Sequence, residues 1–113
     1  WIVAGFSLAF GTSESAGIQT FIGGFGNVFL NGVSWKDLSG SYPTIVFIAF
    51  QGTFAAITVA IASGSVIGRM KFSTWMVIVA LWGLVVYAPI THMVWGGEGA
   101  LLFDAGALDF AGG

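Results

Sequence analysis

Charged residues fall at eight places along the chain: Glu14, Lys36, Asp37, Arg69, Lys71, Glu98, Asp104 and Asp109. None lies between Asp37 and Arg69, and none between Lys71 and Glu98. Each gap exceeds the ~20 apolar residues that an α-helix needs to cross a bilayer core. The pattern predicts one full span over residues 44–67, starting just after Pro43, a residue favoured at helix starts. It predicts a second over residues 72–95. Residues 1–10 read as the last turns of an earlier span, ending at Gly11-Thr12-Ser13. Residues 11–42 are rich in Gly, Ser and Asn but carry Phe21, Phe25, Phe29 and Trp35. Those aromatics predict a loop lying on the membrane interface or against other helices. Residues 96–108 read as a second loop, and Asp109 stands where it would cap a following helix. The chain opens and closes mid-pattern, so it reads as a piece of a longer protein.

Composition sharpens the environment. Of 113 residues, 57% are hydrophobic, 16% aromatic and 7% charged, with a mean hydropathy of +0.94. A soluble domain carries about 25% charged residues, so lipid or neighbouring helices must solvate most of this chain. That excludes a soluble enzyme, a nucleic-acid binder and a disordered tail. The net charge of -2 points to no partner, and the absence of Cys removes disulfides, thiolate metal sites and cysteine nucleophiles. Arg69 and Lys71 occupy the short turn between the two spans, whereas the other two loops hold Glu14, Lys36, Asp37, Glu98 and Asp104. The positive-inside tendency therefore places that turn in the cytoplasm, and Pro43, Trp95 and Asp109 towards the outside.

The two spans present contrasting faces. Gly52, Ala56, Ala60 and Gly64 recur every fourth residue, with Gly68 continuing the series. Small residues at that spacing admit another helix at close range. The opposite face carries Phe47, Phe50, Gln51, Phe54 and Thr58. Its phenylalanines suit plain lipid or core contact, but Gln51 and Thr58 call for partners. In the second span Tyr87, Thr91 and Trp95 share one face at i, i+4 and i+8, and Pro89 removes a backbone donor and predicts a kink. Taken singly, Trp95 also reads as a belt tryptophan, Asp109 as a helix cap, and His92 as a hydrogen-bonded structural residue. Taken together, Trp95, Phe50 and Phe54 offer aromatic faces to a cation. A bare ion cannot cross lipid, because burying it costs on the order of tens of kcal/mol. Such a pathway must keep its ion solvated or strip a proton and pass a neutral molecule, which suits ammonium.

Four ordered motifs then resemble the ammonium transporter (Amt/Mep/Rh) family. They are Ala49-Phe50-Gln51-Gly52-Thr53-Phe54-Ala55-Ala56-Ile57-Thr58, Arg69-Met70-Lys71-Phe72-Ser73, Tyr87-Ala88-Pro89-Ile90-Thr91-His92-Met93-Val94-Trp95-Gly96-Gly97 and Gly106-Ala107-Leu108-Asp109-Phe110-Ala111-Gly112-Gly113. Phe6-Ser7-Leu8-Ala9-Phe10-Gly11 fits the end of that family's second span. The resemblance covers the whole chain, yet only about a quarter of a typical member. It implies an all-α polytopic membrane protein of eleven spans, assembled as a homotrimer with one conducting path per subunit. The spans here then correspond to the third and fourth, within a single partial transporter domain over residues 1–113.

The resemblance also implies roles. Trp95 and Phe54 match the aromatics of the outer ammonium site, and Phe50 a neighbour in it. Phe54 further matches one of two stacked phenylalanines that gate the pore. Asp109 matches the acidic residue beneath the site that organises it and favours the cation, and Tyr87 a supporting residue. The family's paired pore histidines, the serine of the outer site and the second gate phenylalanine fall after Gly113, and His92 is not one of the pair. Gly68 departs from the pattern, standing where the family commonly has Glu. The implied partners are ammonium and ammonia, the lipid bilayer and sister subunits, with a PII-type regulator possible at cytoplasmic loops. The implied location is the cell (plasma or inner) membrane, and no cofactor, metal or nucleic acid is expected. An alternative is an ammonium sensor of the same fold fused to a signalling domain. A membrane enzyme lacks parts: one His, no Cys, no nucleophile elbow and no phosphate loop.

Overall fold

Two long apolar helices dominate the chain, and their ends follow from local chemistry. A computed structural model describes residues 1–110. The first long helix, α3, runs Thr44–Ser63, preceded by α1 (Gly5–Phe10), α2 (Ala16–Gln19), a 3-10 turn (Val28–Leu30) and the two-residue strands β1 (Leu38–Ser39) and β2 (Tyr42–Pro43). It is followed by α4 (Phe72–Trp82), a π-helical segment (Gly83–Tyr87), α5 (Ala88–Trp95) and α6 (Leu101–Asp104). The α4, π and α5 segments form one continuous rod, Phe72–Trp95, of 24 residues; α3 has 20. Both are long and apolar enough to cross a membrane.

α3 begins after Pro43, whose φ of -58° and ψ of 134° keep it extended. The Thr44 N–H is taken by the Asp37 carbonyl at 2.8 Å. Three hydroxyls within the helix satisfy themselves: those of Thr53, Thr58 and Ser63 donate to the carbonyls of Phe50, Phe54 and Ala60. Such back-bonding lets hydroxyls sit in an apolar span. The helix stops at Ser63, short of the expected residue 67. The N–H groups of Gly64, Ser65 and Val66 each reach three residues back, to Ile61, Ala62 and Ser63. This tightened turn ends at Gly68, whose φ of +74° is open to glycine and strained for a residue with a side chain.

In the second rod the helical run continues through Pro89, and the register changes just upstream of it. The N–H of Ala88 bonds the carbonyl of Gly83, five residues back. A π turn widens the helix and absorbs the proline's missing donor within the rod.

The core does not sit between the two long helices. It forms where α1 packs on α5, around Leu8, Ala9 and Ala88, with Trp1, Phe10 and Ile22 against it. Ser7 is fully buried; its hydroxyl donates to the Gly24 carbonyl at 2.7 Å and accepts from the Asn27 N–H at 3.0 Å. A Cβ on Gly24 would lie 2.2 Å from the Thr12 carbonyl oxygen, so the loop can approach only as glycine. Between α3 and α4 lies instead a cavity of about 450 Å³, lined by Gly52, Ala56, Ala60, Trp75, Val79 and Tyr87 among others. The small-residue stripe thus faces space, except where the Trp1 ring lies over Gly52.

The loops hold more structure than expected. Residues 11–42 contain α2, the 3-10 turn and the antiparallel β1–β2 pair, and residues 96–108 contain α6. Phe25, Phe29 and Trp35 are each at least 70% exposed, which accords with an interfacial loop.

Candidate outer cation site

The face shared by Tyr87, Thr91 and Trp95 looks across to α3, and between them lies a second cavity of about 430 Å³. Phe54 and Thr58 of α3 form one wall, and Asp109 and Leu108 approach from the segment after α6. Residues separated in sequence by up to half the chain therefore meet in one place. Of the residues singled out from sequence, Phe54, Tyr87, Trp95 and Asp109 all line this cavity.

Phe50 does not line it. Its ring packs edge-on against Phe54, with centroids 5.0 Å apart and planes at 80°, and is more than half exposed. Phe50 is thus a backing for Phe54. Trp95 is half-buried and lies against Phe10 at 6.3 Å. Asp109 is exposed at the rim. The helix it was expected to cap lies outside the described residues. Tyr87 lines this cavity and also the one between α3 and α4. Trp1, unsuspected from sequence, holds the far side of Tyr87 at 6.1 Å in a T-shaped contact.

Chemically the cavity is largely apolar. It combines aromatic faces, the hydroxyls of Thr58, Thr91 and Tyr87, and one carboxylate. None of the lining residues is cationic. Aromatic faces and oxygen acceptors together suit a small cation.

The other polar residues sort differently. Thr58 spends its hydroxyl on its own helix. Gln51 does not: it is 6% exposed, and its Oε1 meets no donor among the described residues. His92 is fully buried, with Nδ1 3.0 Å from the Ala9 carbonyl oxygen and Nε2 2.8 Å from that of Gln19. Its expected structural role is what the packing shows.

Comparison with known proteins agrees with this architecture. The sequence model of the Ammonium Transporter Family matches residues 1–113. The chain is 46% identical over 114 residues to the "Ammonium transporter" of Aquifex aeolicus, covering all of this chain and 26% of that protein. It is 42% identical to the "Putative ammonium transporter" of Methanothermobacter thermautotrophicus and 41% to the "Ammonium transporter" of Bacillus subtilis. In each case the whole chain is covered, with 27% of the relative. The chain therefore spans about a quarter of the length of these relatives. With the four motifs, the two apolar spans and a match along its full length, the chain belongs to the ammonium transporter family.

Proposed function

We propose that the full-length protein carrying this chain moves ammonium across a cell membrane as ammonia. The cavity of Phe54, Tyr87, Trp95 and Asp109 recruits the cation on its outer side. A proton leaves near the gate to which Phe54 contributes, and neutral ammonia crosses an apolar path. Aromatic faces contribute about 0.5–1 kcal/mol to an exposed cation and ~2 when it is desolvated. That is enough to gather ammonium, and far too little to offset the tens of kcal/mol of a bare ion in lipid. Recruitment followed by deprotonation resolves this mismatch. The observation that carries the reading is the convergence of four distant residues on one cation-suited cavity in a chain of this family.

On the same reading the whole protein has eleven spans and assembles as a homotrimer in the plasma or inner membrane. The turn bearing Arg69 and Lys71 faces the cytoplasm, the side on which a PII-type regulator would be met. Uptake of radiolabelled methylammonium by cells expressing the full-length protein tests the function. We expect saturable uptake that Asp109→Ala abolishes at equal membrane abundance. Undiminished uptake in that variant would falsify the role given to Asp109. Ammonium binding without uptake in the unsubstituted protein would favour a sensor.

A further inference from the structure

Trp95 brings its indole to the outer cavity, and among the described residues that indole packs against one other ring, Phe10, with centroids 6.3 Å apart and planes at 41°. Phe10 does not line the cavity. It is the last residue of α1, and three further rings hold its own: Phe6 stacked at 5.7 Å, Trp1 edge-on at 6.2 Å and Phe47 of α3 edge-on at 5.0 Å. Aromatic pairs attract at such separations. We propose that Phe10 is a positioning residue for the cation site. Its ring braces the Trp95 indole and ties it, through Phe47, to α3, the helix that supplies the facing wall. The proposal deepens the transport reading above and rests on it.

A brace needs a fixed base, and Phe10 has one. α1 packs on α5 around Leu8, Ala9 and Ala88, so the backbone beneath Phe10 is docked on the element that carries Trp95. The chain leaves α1 tightly: the Gly11 N–H donates to the Ser7 carbonyl at 2.8 Å, and a Cβ on Gly11 would lie 2.3 Å from that oxygen. The Gly23 N–H closes on the Leu8 carbonyl at 2.7 Å. Trp95 has no such local support. It ends α5, and Gly96 and Gly97 follow it without a side chain to steady the indole. A cation gains from an aromatic ring only over its face, within about 6 Å of the centroid. An unbraced tryptophan has three staggered wells about its first side-chain torsion and roughly two about its second. The share of time spent in the one arrangement that faces the cation sets the apparent affinity. Loss of the brace therefore weakens ammonium binding by at most about sixfold, less than loss of the indole itself.

The test uses the full-length protein, reconstituted in lipid bilayers and labelled with fluorotryptophan. The fluorine signal lost in Trp95→Leu assigns the indole. We expect that signal to move or broaden in Phe10→Leu, which keeps apolar bulk, and to hold its place in Phe10→Tyr, which keeps the ring. An unmoved signal in Phe10→Leu overturns the brace. We further expect Phe10→Leu to raise the ammonium dissociation constant and the half-saturating concentration for uptake about three- to sixfold with the maximal rate kept, and Phe10→Tyr to leave both near their unsubstituted values. In a Trp95→Leu background Phe10→Leu should add nothing, because no indole is left to hold. Losses that multiply in full overturn the positioning role, as does unchanged affinity in Phe10→Leu alone. Where Phe10→Leu does not assemble, Phe47→Leu removes the nearest ring supporting Phe10, and the same signal and the same affinity decide. A protein that binds ammonium but carries none ends the transport reading alone, and the affinities still judge Phe10. One that binds none ends the cation site and the positioning role with it.

Discussion

At the scale of single residues, Trp95 brings an aromatic face and Asp109 a carboxylate to the lining of the outer cavity, and the proposed function divides cation recruitment between them. Trp95→Leu keeps apolar bulk and removes the ring, so the loss expected is that of a partly desolvated cation–aromatic contact, about 1–2 kcal/mol. Ammonium affinity should fall roughly five- to thirtyfold, with poorer discrimination against larger alkylammonium ions, read from competition in uptake assays. Asp109→Ala should act on the maximal rate as well. Trp95, Phe54 and Tyr87 were legible from sequence because helical spacing and aromatic chemistry are local signals. The bonds of His92 were not, since both partners are backbone carbonyls and any residue type supplies one. Thr58 misled for a related reason: its hydroxyl needs no distant partner when a carbonyl lies one turn back.

At the scale of elements, the rod Phe72–Trp95 works because its middle is not α-helical. The π segment Gly83–Tyr87 places one extra residue in a turn and so sets the angle at which Tyr87, Thr91 and Trp95 meet α3. Deleting Val85, an exposed residue of that segment, would rotate α5 by about 100° against α4. We expect membrane insertion to persist and ammonium uptake to be lost; uptake at the unsubstituted level would sink this account of the turn. The apolar runs announced both rods, because lipid dictates composition over every residue it touches. The π turn has no compositional mark, and sequence shows the missing donor of Pro89 but not the register change just before it. The end of α3 slipped from residue 67 to Ser63 on similar grounds, as 3-10 tightening before Gly68 leaves hydrophobicity unchanged.

At the scale of the molecule, α3 and α4 expose large apolar side chains, Ile61 and Phe72 at more than 70%, around a cavity edged by small residues. Such a surface is settled in lipid or under other helices. With the Arg69–Lys71 turn in the cytoplasm, the two ends of α3 lie on opposite sides of the membrane. Cysteine introduced at Ser39 should react with a membrane-impermeant maleimide in intact cells expressing the full-length protein, and cysteine at Ser65 only after permeabilisation. The reverse pattern would invert the orientation.

Tyr87, with one cavity on either face, acts as a bulkhead between two compartments of nearly equal size. One is the seam where helices of the bundle meet, and the other is the chamber offered to the cation. Cutting the side chain back to Ala removes a wall that the two cavities share and is expected to open a route for water between them. A path that admits ammonia and refuses hydrated ions depends on staying dry. Tyr87→Ala in the full-length protein should therefore show itself as a proton leak across proteoliposomes, read by an internal pH dye, before any loss of ammonium affinity. Insulation, rather than recognition, would be what this tyrosine supplies.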